Sequence, residues 1–199
     1  MENNKDIRAI RFELGRHFIE EGSYDLAVNA LTKALAIEPR NAQLYDFRGI
    51  AFGSNREYDE AIADFNMAIE IDSQLAGAYN NRALSHWALD MIGEALNDIN
   101  KAIELDSNVA VFFANRGLIQ HAKGDFQEAV LDYSVAMLSG FTGIDAYNGR
   151  GEAYAELGDY EKALADFDQG LTLNPNDVVV FANRALVISL IEKQKQSDK

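Results

Sequence analysis

The chain has 199 residues, 48% apolar and 25% charged, with no cysteine and 32 acidic against 18 basic side chains, a net charge of −14. That acidic excess argues against DNA or RNA as partners, because polyanions are repelled, and the missing cysteines exclude disulfides and thiolate metal sites. No stretch reaches the roughly 18 apolar residues of a membrane span, and the polar opening Met1-Glu-Asn-Asn-Lys-Asp6 lacks the apolar core of a secretory signal. A cytoplasmic protein that does not associate with membranes is expected.

Read from the N-terminus, a first amphipathic run ends at the turn Glu21-Gly22-Ser23, and a second begins at Tyr24 with Ala27, Leu31 and Ala34 at helical spacing. The same two-run pattern then recurs every 34 residues. Its early small residue is Gly15, Gly49, Ala83, Gly117, Gly151 and Ala185, and a second small column runs Ala27, Ala61, Ala95, Ala129 and Ala163. Large residues fall between the small ones, as in Leu31, Phe65, Ile99, Tyr133 and Phe167. Small surfaces facing large ones at a fixed period predict interlocking helices. The periodicity predicts helix pairs over 8–41, 42–75, 76–109, 110–143 and 144–177. A sixth first helix spans 178–193, and a polar tail covers 194–199. The loop Ser139-Gly-Phe-Thr-Gly143 replaces the usual end of the fourth unit and is the expected irregularity.

The stretch from Ala146 through Gly151, Tyr154, Gly158, Tyr160, Ala163, Phe167 and Leu171 to Pro175 closely resembles the tetratricopeptide repeat, a likeness that extends over nearly the whole chain. The resemblance implies an all-α, right-handed solenoid of antiparallel helix pairs, five units plus a C-terminal helix, forming a single domain over 1–199 with a continuous core. It also implies that first helices line a concave groove that captures peptide or helical segments of other proteins.

Arg48, Arg82, Arg116 and Arg150 precede the early small residue of their units, and Asp64, Asp98, Asp132 and Asp166 precede the large residue of the second helix. The first unit lacks both, having Leu14 and Ala30, so the two columns are expected to form structural ion pairs. Spacing leaves open whether each pair lies within a unit, leaving Arg184 over, or bridges to the next, leaving Arg48 over.

Catalytic chemistry finds no footing. His17, His86 and His121 sit on different first helices without a His-x-x-x-His pair, and no phosphate-binding loop or nucleophile motif is present. No metal, no cofactor and no enzymatic activity are expected. His86 and Gln120 fall in an otherwise apolar column and are read as hydrogen-bonded polar residues between packed helices.

Carried onto this sequence, the family's groove positions give Asp46, Phe47 and Ile50, then Asn80, Asn81, Leu84 and Trp87, then Asn115, Leu118 and His121, then Asp145, Asn148, Glu152 and Glu156. Asn81, Asn115 and Asn183 share one place, an asparagine ladder of the kind that holds a peptide backbone, broken at Phe47 and Gly149. An apolar centre at Trp87 between acidic ends predicts an apolar and somewhat basic protein or peptide partner. The competing reading is a self-assembling protein that dimerises through the apolar residues of 178–191, with Val180, Val187 and Ile191 in the contact.

Overall fold

The computed structural model describes residues 2–197 and, among them, places every regular element in α-helix. In chain order these are α1 (Glu2–Glu20), α2 (Tyr24–Leu35), α3 (Ala42–Ser54), α4 (Tyr58–Ile71), α5 (Ala76–Ala88), α6 (Ile92–Leu105), α7 (Ala110–Lys123), α8 (Phe126–Leu138), α9 (Ile144–Glu156), α10 (Tyr160–Leu173) and α11 (Val178–Ser197). From α3 onward the first helices of successive pairs start 34 residues apart, at Ala42, Ala76, Ala110, Ile144 and Val178.

Contacts gather the chain into two compact bodies, one ending at Asp106 and one beginning at Ser107. In the first, α1 packs on α2, α3 on α4 and α5 on α6. Within this body α2 packs on α3 and α4 on α5, and α3 lies against both α1 and α5. The second body repeats the arrangement with α7 on α8 and α9 on α10, while α11 closes against α10 and α9.

The two helices of a pair approach closely because the small columns permit it. A Cβ added at Gly49 would stand 2.6 Å from the Phe65 ring, and one at Gly151 would stand 2.7 Å from Phe167, so the large residue of the second helix occupies the place of the missing side chain. Ala27, Ala61, Ala95, Ala129 and Ala163 are fully buried on the facing surface. Each pair turns through a residue at positive φ, namely Gly22, Arg56, Asp90, Gly124 and Gly158, a left-handed step that ends the first helix and starts the second within a few residues.

The irregular loop after α8 is built on Gly140 at φ +98°. Its Phe141 amide donates to the Ala136 carbonyl at 2.9 Å, closing the helix end, and its ring packs on the core around Tyr133.

The closing helix departs from expectation in two ways. It runs to Ser197, past residue 193, because Glu192-Lys-Gln-Lys-Gln196 contains only good helix formers and no Gly or Pro. Asp198 and Lys199, the rest of the expected tail, lie outside the described residues. Val180 and Val187, named above as self-contact residues, are instead core: both are 1% exposed and pack with Ala163 and Phe167, and Ile191 joins the same cluster. An apolar helix offers no polar face to indicate which side points inward. The inward row proves to be 180, 187 and 191, leaving Val178, Val179, Phe181 and Leu186 exposed.

Candidate functional site

The arginine column forms forked contacts inside each helix pair. Arg48 donates from Nε and Nη2 to both Asp64 oxygens at 2.7 Å, and Arg150 reaches Asp166 in the same way at 2.8 and 2.7 Å. Arg82 with Asp98 and Arg116 with Asp132 repeat this geometry. The remaining nitrogen links to the preceding pair: Arg48 Nη1 donates to Thr32 Oγ1, Arg82 Nη1 to Asn66 Oδ1 and Arg150 Nη1 to Ser134 Oγ. Among the described residues Arg184 makes the second kind of contact, donating from Nε to Asp168 Oδ1 at 2.6 Å. The aspartates' hydrogen bonds push the Arg48, Arg116 and Arg150 guanidinium pKa values above their ordinary value, outweighing the opposing cost of burial.

Two clefts collect most of the predicted groove residues. In the first body, Asn81, Leu84 and Trp87 of α5 and Ile50 of α3 line a mainly apolar cleft of about 300 Å³. Asn81 Nδ2 crosses from α5 to α3 and donates to Asp46 Oδ1 at 3.0 Å. Burial nevertheless pushes the Asp46 carboxyl up to about 6, because desolvation outweighs that single donor. Asn80 is buried and donates to Asn81 Oδ1 at 3.1 Å, so it supports its neighbour. Phe47 packs edge-on against Phe12, with ring centroids 5.1 Å apart.

In the second body, Asn115 and Leu118 of α7 and Asn148 and Glu152 of α9 share a cleft of about 330 Å³ with Asp145, Tyr133 and Phe141. Glu152 Oε1 accepts from Asn148 Nδ2 at 2.9 Å and from Asn183 Nδ2 at 2.5 Å, and Asn183 Nδ2 also donates to Asn148 Oδ1. The break in the asparagine ladder at Gly149 has a steric cause. A Cβ there would stand 2.5 Å from the Tyr133 hydroxyl, so the phenol fills the space an asparagine would need.

Tyr133 and Phe141 are site residues that sequence reasoning passed over. The available signal was that Tyr133 alone carries a hydroxyl in the column Leu31, Phe65, Ile99, Tyr133 and Phe167.

His121 stands apart from the cleft lining; its ring packs edge-on against Phe126 and its Nε2 is buried without a hydrogen-bond partner. Of the two polar residues in the apolar column, His86 meets Asp98 through Nδ1 at 3.0 Å, whereas the buried Gln120 Oε1 has no hydrogen-bond partner. Among the described residues no group of His, Cys, Asp and Glu could hold a metal, and no helix is long and apolar enough to cross a membrane.

Three models of the tetratricopeptide repeat match residues 12–76, 76–109 and 144–177. The chain belongs to the tetratricopeptide-repeat family. Solved tetratricopeptide-repeat structures share its fold. A Pseudomonas aeruginosa pilF structure superposes with a TM-score of 0.83 at 17% identity, over 97% of this chain and 88% of that one. A Cut9 and Hcn1 hetero-tetramer of the APC/C also gives 0.83, at 21% identity over 90% of this chain, which spans only 36% of that structure's chain. YrrB, described as a TPR protein with an unusual peptide-binding site, gives 0.69 at 20% identity over 92% and 95% of the two chains. Among curated proteins, none matches this tetratricopeptide-repeat sequence.

Proposed function

We propose that the chain is a cytoplasmic, non-enzymatic interaction scaffold that captures an apolar and somewhat basic segment of a partner protein along the faces of its first helices. The observation that carries this reading is the cleft of the first body, where Asn81 places an amide beside the apolar surface of Ile50, Leu84 and Trp87. An amide both donates and accepts, as a peptide bond requires, and a half-buried tryptophan in an apolar cleft is the residue type that dominates binding energy at interfaces. The fold shared with a peptide-binding repeat protein and with a subunit of a multiprotein assembly supports the same reading.

Selection of a displayed library of random 12-residue peptides on the purified protein tests it. Enriched peptides should lose about 2 kcal/mol of affinity on Trp87→Ala and about 1 to 3 kcal/mol on Asn81→Ala combined with Asn115→Ala, with helical content unchanged by circular dichroism. Failure to enrich any peptide, or equal binding by these variants, counts against the reading.

The exposed apolar row Val178, Val179, Phe181 and Leu186 on α11 favours a second reading, self-association through that helix. Light scattering at high micromolar concentration should then show a dimer that Phe181→Glu returns to monomer. A monomeric wild type removes this reading.

A further inference from the structure

Four departures from the repeat pattern meet in the cleft of the second body. Glu152 stands in a column that reads Arg16, Ile50, Leu84, Leu118 and Leu186 at its other places, and Gly149 breaks the asparagine ladder. Tyr133 brings a hydroxyl to a column of hydrocarbon side chains, and Phe141 comes from the irregular loop that replaces a turn ending. Each change alone is ordinary in a repeat array, but together they bring polar and acidic groups into one partly apolar cleft.

The pocket carries negative charge without a balancing cation. No Lys, Arg or His lines it. Glu152 is held in place by neutral amide donors, and neither it nor Asp145 forms an ion pair among the described residues. Tyr133 adds a second, independent polar group to the cleft. The residue is 5% exposed, its hydroxyl lies against Gly149 in the cleft that Glu152 and Asp145 also line, and it makes no hydrogen bond among the described residues. A hydroxyl that reaches the cleft on an otherwise buried ring, with no protein partner, is available to pair with a donor entering the cleft. Burial, followed by the charges of Glu152 and Asp145, pushes the Tyr133 pKa upward, so the group is a neutral phenol with an oxygen able to accept.

We infer that this pocket binds an arginine side chain of the captured segment, its guanidinium pairing with Glu152 and Asp145 and donating to the Tyr133 oxygen. Glu152 lies seven residues after Asp145 on α9, two turns along the same face. A planar fork with five donors can serve acceptors at separate points, whereas an ammonium is a compact and more strongly hydrated charge. Phe141 and Leu118 give the arginine stem and the guanidinium plane an apolar wall.

This inference rests on the peptide-capture reading, and the same peptide selection separates the two. Peptides enriched on the wild type should carry arginine at one fixed position. Replacing that arginine by citrulline, equal in shape and uncharged, should weaken binding at least tenfold, and replacing it by lysine should weaken it less. Glu152→Gln should cost at least tenfold and Tyr133→Phe about threefold, while Glu161→Gln, an exposed acidic control, should leave binding unchanged. Tyr133→Phe keeps the ring that Phe65 and Phe167 already provide at equivalent places, so its fold is retained even if Glu152→Gln proves unstable. Enriched peptides without a fixed arginine, or arginine peptides indifferent to both pocket substitutions, overturn the inference and leave capture standing. An empty selection overturns both.

Discussion

Asp46 has one amide donor, from Asn81, for its carboxylate, and the balance of burial against that donor sets its pKa at about 6, against 3.8 for the free side chain. A group whose folded pKa is raised binds its proton more tightly when folded, so its contribution favours folding below the unfolded value and is lost as pH rises through the folded one. The window is therefore pH 4 to 6, and the difference corresponds to about 3 kcal/mol at most. Asp46→Asn preserves an acceptor for Asn81 without the charge. In urea melts it should match the wild type near pH 4 and exceed it by about 1 to 3 kcal/mol at pH 7.5. A constant difference across that range would mean the carboxylate is well solvated.

Between helices, Arg48, Arg82 and Arg150 each link their first helix to its own second helix and to the second helix before it, as Arg150 does with Asp166 and Ser134. Asp166 is buried and its acceptors are filled by one guanidinium, so removing either partner strands a charge in a place where water cannot restore it. Asp166→Ala or Arg150→Ala alone should cost about 3 kcal/mol in urea melts, and the double change Arg150→Met with Asp166→Leu should cost less than either. Equal or smaller losses for the single variants would show the pair to be merely solvated.

The two columns were legible because arginine and aspartate recur without exception from the second unit to the fifth. Their connectivity was not, since Asp64 lies 16 residues after Arg48 and the alternative acceptor, Thr32, lies 16 before it. That second column reads Thr32, Asn66, Ser134 and Asp168, residues that share only an acceptor oxygen, so nothing in their size or charge marked them. The helix pairs were legible for a packing reason: each small residue, such as Gly49, answers one large residue, such as Phe65. The second cleft was half legible, because Gly149 showed as a gap in the ladder while the reach of the Tyr133 hydroxyl into that gap depends on three-dimensional placement. The inward row of α11 was not legible, because Val179 and Val180 are chemically alike and only packing tells them apart.

At the scale of the whole molecule, a net charge of −14 acts on every encounter before any side chain touches its partner. A basic segment is drawn toward such a surface, whereas a second copy of the chain is repelled by it, so salt affects the two readings in opposite directions. Screening shortens from roughly 10 Å at 0.1 M to 3 Å at 1 M, which weakens both the attraction and the repulsion. Capture of the arginine peptides should lose about tenfold in association rate over that range, the smaller end of what steering supplies. Most of the remaining affinity should persist through contacts with Trp87 and Leu84. Self-association through Phe181 and Leu186 should instead strengthen with salt, since an apolar contact gains as mutual repulsion is screened. Stopped-flow binding and light scattering on the same salt series read both slopes. Peptide association rates that stay flat with salt would show that the acidic surface does not steer the partner and would move the recognition energy to the apolar cleft.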